Sequence, residues 1–360
     1  MKMRSSKVSI LLLIGVLVTI GCSTEIGDQP DGGDSEFLVS VATSQSEMIT
    51  EEAPLEENVP PNISDQAYIS QSGAFKIMLP EAWNCSETGE FQVNCQAPDQ
   101  SAQLQAEITA TGYELDQTAF LTFTHAELVH AYSEVKEYVE QERLEEEGQL
   151  VSVAAWRDGN VYWQSTDMFQ RKNGTVFHLM MSIQDSISEK YTHLFTSINE
   201  SIEIIPSDLR GVQLYAKRVT HTALDSFFEV DVPTSWGRYM DAAAVERTRI
   251  EGFLSPDKRA AVQIAVYNRG SLIEKSLKAE KTREIIRTQN GYDLRYLDDK
   301  PLPDGRERLT WYAENKGING ISFFDSYGSS LYVFSIVWEE STAYLYQPIL
   351  EEIAASFNRE

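Results

Sequence analysis

Beyond residue 66 the chain is written in two periods. Short runs alternate apolar and polar residues, as half-buried strands do, and longer stretches return to an apolar residue every three or four positions, as helices packed on one side do. Alternation predicts strands at Phe75–Pro80, Glu90–Val93 and Ala102–Ala110. Phe120, Leu121, Leu128, Tyr132, Val135 and Val139 recur at helical spacing and predict one helix from about Gln117 to Glu146. Strands follow at Leu150–Trp156, Val161–Phe169 and Thr175–Ile183, the last two joined by Asn173-Gly174, a pair suited to a tight hairpin turn. A helix from about Ser188 to Ile202 closes the series.

The same order then starts again. Strands are predicted at Phe227–Val232, Arg247–Leu254 and Ala260–Tyr267. Ser271 and Glu274 fit a capping box before a helix reaching about Thr288. Strands at Asp293–Leu297, Glu307–Ala313, Ile321–Ser326 and Leu331–Trp338 precede a last helix ending near Phe357. Particular side chains repeat as well. Phe177, Leu179, Met181 and Ile183 match Tyr332, Phe334, Ile336 and Trp338 at an offset of 155, and Trp156 matches Trp311 at the same offset. Tyr191, Leu194 and Ile198 match Tyr346, Ile349 and Ile353. These matches in order predict two similar domains produced by duplication, residues 66–205 and 206–360. Each domain opens on a strand ending in Pro-x-x-Trp, at Pro80 to Trp83 and at Pro233 to Trp236. Proline cannot donate to a ladder, so it ends its strand or sits at an edge. Each Trp is expected to fold over the core, with ligand stacking as the alternative.

A strand reading Phe75, Ile77, Pro80, Trp83 and a closing helix at Ser201-Ile202 resemble the PsbP-like fold family, as do Phe228, Val230, Pro233, Trp236 and Ser356-Phe357. The resemblance covers about residues 67–205 and 213–360. It implies an α+β protein of two tandem PsbP-like α/β/α sandwiches with antiparallel central sheets. It also implies binding or scaffolding, since the family offers no catalytic signature to carry over. Its metal sites find no match here, and nothing indicates a photosynthetic role.

The first residues belong to a different pattern. Lys2, Arg4 and Lys7 precede an apolar run, Val8 to Ile20, whose 13 residues are short for a membrane span. With Gly21-Cys22 they read as a secretory signal over residues 1–21. Thr19-Ile20-Gly21-Cys22 resembles the bacterial lipobox, with Thr19 where Leu is usual. That resemblance implies lipidation of Cys22 and a membrane anchor on the extracytoplasmic side of the cell envelope; an uncleaved anchor is the alternative. Residues 22–65 hold 11 acids, no Lys or Arg, and scattered Gly and Pro, and are expected to be a disordered acidic stalk. Asp28, Asp31 and Asp34 within it are expected to be solvated charges rather than a calcium loop.

Charge changes the picture further. The net charge is −25; residues 66–205 carry 21 acids against 7 bases, and residues 206–360 carry 23 against 20. Nucleic acid is excluded as a partner, since its phosphates demand a basic face. An envelope protein is the expected partner, and any small-molecule ligand is unidentified. Cys85 and Cys95 form an even pair in an exported chain and predict a disulfide, with two unpaired thiols as the alternative.

No motif names an activity, a cofactor or a metal, and no catalytic residue is assigned. His125 and His130 are five apart, about 140° around a helix of 3.6 residues per turn, too far round to share a metal. Glu127 between them is misplaced for H-E-x-x-H. His178 is expected to be a satisfied, half-buried histidine, with a groove position as the alternative, while His193 and His221 stand alone. Glu145, Glu146 and Glu147 are read as a solvated helix end. Lys275, Lys278, Lys281, Arg283 and Arg287 either dock an acidic partner or pair locally with Glu274, Glu280 and Glu284, the favoured reading. The chain is thus read as a non-catalytic lipoprotein acting by binding or scaffolding, with a small-ligand or lipid-binding accessory role as the alternative.

Overall fold

A computed structural model describes residues 62–359 apart from 90, 206–211, 243–245 and 292. Cys22 and the stalk up to residue 61 lie outside the described residues. In the first half the elements are β1 (Ile63–Ile69), β2 (Phe75–Pro80), β3 (Asn84–Gly89), β4 (Gln92–Gln96), β5 (Ala102–Ala110), α1 (Gln117–Ala131), β6 (Lys136–Glu146), β7 (Gln149–Asp158), β8 (Val161–Lys172), β9 (Thr175–Gln184), α2 (Ser188–Glu200) and β10 (Glu203–Ile204). The second half runs β11 (Arg218–Thr222), β12 (Phe228–Pro233), β13 (Gly237–Ala242), β14 (Thr248–Leu254), β15 (Ala260–Asn268), α3 (Lys275–Asn290), β16 (Leu294–Pro301), β17 (Glu307–Ala313), β18 (Ile318–Tyr327), β19 (Ser330–Glu339), α4 (Ala343–Ser356) and β20 (Asn358–Arg359).

The protein is α+β, with every ladder antiparallel. One seven-stranded sheet has the order β3-β4-β5-β9-β8-β7-β6 and the other β13-β14-β15-β19-β18-β17-β16. Each is accompanied by a three-stranded sheet, β1-β2-β10 or β11-β12-β20. The two halves therefore repeat one order of strands.

Side-chain alternation splits each large sheet into two buried faces. In the first half Phe177, Leu179 and Met181 of β9 meet Tyr191, Leu194 and Ile198 of α2, with Phe75 and Ile77 of β2 closing the layer. In the second half Phe334 and Ile336 meet Tyr346, Ile349 and Ile353, with Phe228 and Val230 in the same role. Pro80 and Pro233 end their strands. Trp236 is buried, and Trp83 packs edge-on to Tyr191 as a partly buried flank of its core. On the other face α3 covers Trp311, Phe324 and Val333 with Ile285 and Ile286. Trp311 crosses over Gly320, where a Cβ would collide with the indole.

The first half treats its second face differently. Phe120 and Phe123 of α1 pack on Leu150, Trp156 and Phe169, and this core continues without a break into Trp236, Tyr346 and Val232 of the second half. α1 is thus held between its own sheet and the next half. Residues 58–360 cluster as one unit.

The helix expected from Gln117 to Glu146 ends at Ala131, and residues 136–146 form strand β6 instead. Glu145 and Glu146 therefore lie on an edge strand and Glu147 in the following turn, not at a helix end. The Val135/Val139 spacing imitates a helix, but Gly148, at φ +75°, makes the hairpin turn that pairs β6 with β7. Five Glu and two basic residues give that edge a charged rim that discourages pairing with another chain.

Cys85 and Cys95 face each other across β3 and β4, with Cα atoms 4.0 Å apart, and are bonded. Thr88 and Gly89 end β3, with Gly89 opposite Gln92 where β4 begins. The bridge staples an exposed edge hairpin. Its reduction is expected to lower stability by about 2 kcal/mol through loop closure, read as a drop in the urea midpoint with dithiothreitol; an unchanged midpoint would show the hairpin contributes nothing to the cooperative unit.

Candidate functional site

Strands β5, β9 and β8 place three ionisable side chains on the face beneath α1. Glu107 lies opposite His178 in the β5–β9 ladder, and Asp167 sits two residues before the Phe169 that lies opposite His178 in β8. His178 Nε2 is 2.8 Å from Asp167 Oδ1, and Nδ1 is 3.3 Å from Glu107 Oε1. The Phe169 ring stacks on the imidazole at 4.0 Å. Tyr132, at the end of α1, donates its hydroxyl to Asp167 Oδ2 at 2.6 Å.

The cluster then crosses to the second half. Lys217 Nζ lies 2.7 Å from Glu107 Oε1 and 3.2 Å from Glu127 Oε2, and Glu127 Oε1 accepts from the Thr234 hydroxyl at 2.7 Å. Gln105 donates to the remaining Glu107 oxygen at 3.0 Å. The result is one connected chain from Tyr132 through Asp167, His178, Glu107, Lys217 and Glu127 to Thr234. Asp167 is 0% and His178 4% exposed, so these two have only their neighbours in the chain for solvation.

Electrostatics follow from that enclosure. Burial alone would lower the His178 pKa, but its hydrogen bonds to the Asp167 and Glu107 carboxylates outweigh it and raise it to about 9. Burial would raise Glu107, yet the bond to His178 and the charge of Lys217 bring it down to about 2. Burial opposes the Lys217 charge too, and Glu127 and Glu107 push its pKa above the usual lysine range. Burial and the neighbouring Asp167 push the Tyr132 phenol up. His178 is an imidazolium with both N–H groups engaged, so it has no lone pair to accept a proton. The arrangement is an ionic lock between the two halves.

Among the described residues the second half has no such lock. Phe324 lies opposite Val333 as Phe169 lies opposite His178. Counted from those pairs, Ser322 stands for Asp167, Val333 for His178 and Ala265 for Glu107.

Beside the lock, a groove of about 430 Å³ runs between α1 and strands β11 to β14. Val129 and Phe253 give it apolar walls, and His125, His130 and His221 stand along it. Thr234, which anchors Glu127, also lines it. Burial lowers the His130 pKa, partly opposed by the charge of Glu127. Glu251, beneath the groove, holds Arg238 Nε at 2.6 Å and lies 3.2 Å from His221 Nε2. A smaller recess of about 190 Å³ reaches Lys217 and Glu107 from the opposite side.

The singled-out residues divide accordingly. Cys85 and Cys95 are bonded; Cys22, Asp28, Asp31 and Asp34 lie outside the described residues. His178 is fully rather than half buried, because two carboxylates make its charge tolerable inside. His125, His130 and His221 are brought to one groove, whereas His193 is exposed on α2. The basic residues of α3 are largely paired locally. Lys278 sits between Glu307 and Asp325, Lys281 with Glu284, and Arg283 with Asp299, while Arg283 and Arg287 flank the Tyr296 ring. Their acids come mostly from neighbouring strands rather than from Glu274 and Glu280. Glu107, Asp167, Lys217 and Thr234 went unnoticed in the sequence. Charges at inward positions of otherwise apolar strands, in Ala106-Glu107-Ile108 and Thr166-Asp167-Met168, were the available signal.

No family model matches the chain, and no curated protein matches it. Among solved structures it is similar to cyanobacterial PsbP from Synechocystis, at 13% identity and a TM-score of 0.31, over 39% of this chain and 92% of that one. It is also similar to the Ran-binding protein Mog1p of Saccharomyces cerevisiae, at 8% identity and a TM-score of 0.31, over 40% of this chain and 96% of that one. A Bacteroides thetaiotaomicron protein aligns at 11% identity and a TM-score of 0.28, over 45% of this chain and 54% of that one. At such scores these likenesses carry no argument, and the fold class rests on the sheet topology itself.

Proposed function

We propose that this chain is a non-catalytic binding or scaffolding protein of the cell envelope. Its lipid is on Cys22, its acidic stalk lifts it from the extracytoplasmic membrane face, and its two halves are PsbP-like sandwiches derived from one duplicated gene. The repeated strand order supports the duplication, and the Cys85–Cys95 bond supports an oxidising compartment. The observation that carries binding over catalysis is the seam itself. Its acid–base groups are used up in holding the halves together, and beside them lies a groove with apolar walls and polar side chains, the usual make-up of a binding site.

Two measurements test this reading. Labelled palmitate is expected to enter the wild-type chain and not Cys22→Ser. Cross-linking of intact cells with a membrane-impermeant reagent is expected to recover the same envelope protein repeatedly. Repeated recovery of none counts against scaffolding, and palmitate entering Cys22→Ser equally removes the anchor.

A further inference from the structure

Trp236 follows the second Pro-x-x-Trp strand and is 2% exposed, yet its indole N–H meets no acceptor in the protein. Its ring packs edge-on against Tyr215 and Tyr346 at 6.3 and 6.1 Å, which fixes it without satisfying the nitrogen. Buried indole N–H groups ordinarily find a partner, because an unmade bond costs the desolvation of the donor. Trp236 is also one of the side chains that line the seam groove. The other donors along the groove are the imidazoles of His125 and His130 on α1 and of His221 on β11, together with Arg238 on β13. Glu134 on the α1 side also lines the groove, while Glu251 of β14 lies buried behind Arg238 and His221 and is engaged with both. Val129 is 58% exposed along the same groove, an apolar surface with nothing laid on it.

Donors in excess, one of them unmatched, beside an apolar wall call for an amphiphile with an acceptor head. We infer that the seam groove binds a small amphiphilic carboxylate, with its tail along Val129 and Phe253 and its carboxylate among the imidazole and indole donors. This rests on the binding-protein reading above and specifies what that protein would hold. A volume of about 430 Å³ lies within the range of small-molecule sites.

The test uses the full chain in phosphatidylcholine vesicles and a ten-carbon carboxylate carrying a diazirine in its tail. After illumination, labelled peptides are expected to come from α1 around Val129 and from the β11–β14 region. Decanoate is expected to compete and decanol to compete at least fivefold less well. Val129→Trp, a change at an exposed position, should cut labelling at least fivefold by filling the groove. Trp236→Phe, which keeps the ring and removes the donor, should cut it about threefold, with circular dichroism confirming that both variants fold. Labelling elsewhere, labelling untouched by Val129→Trp, or equal competition by decanol would each overturn the inference. Absence of labelling would overturn it too, while the binding-protein reading would still be judged by recovery of its cross-linked partner.

Discussion

Lys217→Met is expected to destabilise the protein by about 3 kcal/mol, as removing one partner from a buried ionic group does. Methionine keeps the aliphatic stem and removes the cation that touches both Glu107 and Glu127. Both carboxylates would then remain in an interior that solvates charge poorly, with repulsion replacing attraction. The lysine side chain is 30% exposed, so some water reaches it, and the effect is placed at the lower end of the range for buried pairs. An exposed pair makes the contrast. Lys76 and Glu203 lie 3.1 Å apart at 37% and 62% exposure, and Lys76→Met should change stability by less than about 0.5 kcal/mol. Adding Glu127→Gln to Lys217→Met should restore part of the loss, because the amide oxygen still accepts from Thr234 while the stranded charge is gone. Because Lys217 reaches from the second half into the first, calorimetry of Lys217→Met should also show a broader transition. Urea midpoints within error of wild type would mean that the packed core alone couples the halves.

What could be read from the sequence was the part governed by period. Residues recurring every second position, such as Phe177, Leu179, Met181 and Ile183, located the central strands because they share the face packed on α2, and their repeat in Tyr332 to Trp338 pointed to one strand order used twice. Two errors have different causes. β6 is exposed along most of its length, so its side chains carry no burial signal, and Val135 and Val139 imitate a helix by chance of spacing. Trp156 and Trp311 align at an offset of 155, yet they sit one alternation step apart. Trp156 lies opposite Trp163 and Trp311 opposite Gly320, whereas six residues before Phe169 and Phe324 come Trp163 and Ile318. The first hairpin simply runs further before it turns, between Asp158 and Val161. Both indoles still reach a serine, Ser165 and Ser322, because the face is kept even where the register is not. The lock was harder to see. Its members lie as far apart in sequence as Glu107 and Lys217, and only the packing of α1 against the second half brings them together. A single inward charge is visible in a strand pattern, but its partner is not.

The lock also makes stability depend on pH in a direction that His178 determines. Its folded pKa is raised from the ordinary 6.5 to about 9, so the folded protein keeps a proton that the unfolded chain has lost. The stabilisation is therefore complete below about pH 6.5, declines as pH rises, and is gone above about pH 9, a loss on the order of 3 kcal/mol from the linkage between proton binding and folding. Lys217, whose pKa lies above the usual range, stays charged throughout that window and does not contribute to the decline. Glu107 sets the acid side with the opposite sign. Its pKa is lowered from 4.5 to about 2, so its contribution is present above 4.5 and is lost as pH falls through about 2. These are the same contacts seen from two partners, and the two limbs are not additive. Urea midpoints measured from pH 6 to pH 9.5 should fall steadily in the wild type. His178→Gln should be less stable at pH 6 by about the same 3 kcal/mol, since Asp167 and Glu107 lose their shared cation, and its midpoint should then stay nearly level to pH 9.5. The other four histidines remain in that variant, so an alkaline decline that persists unchanged in His178→Gln would assign the titration to them and leave His178 an uncharged packing residue.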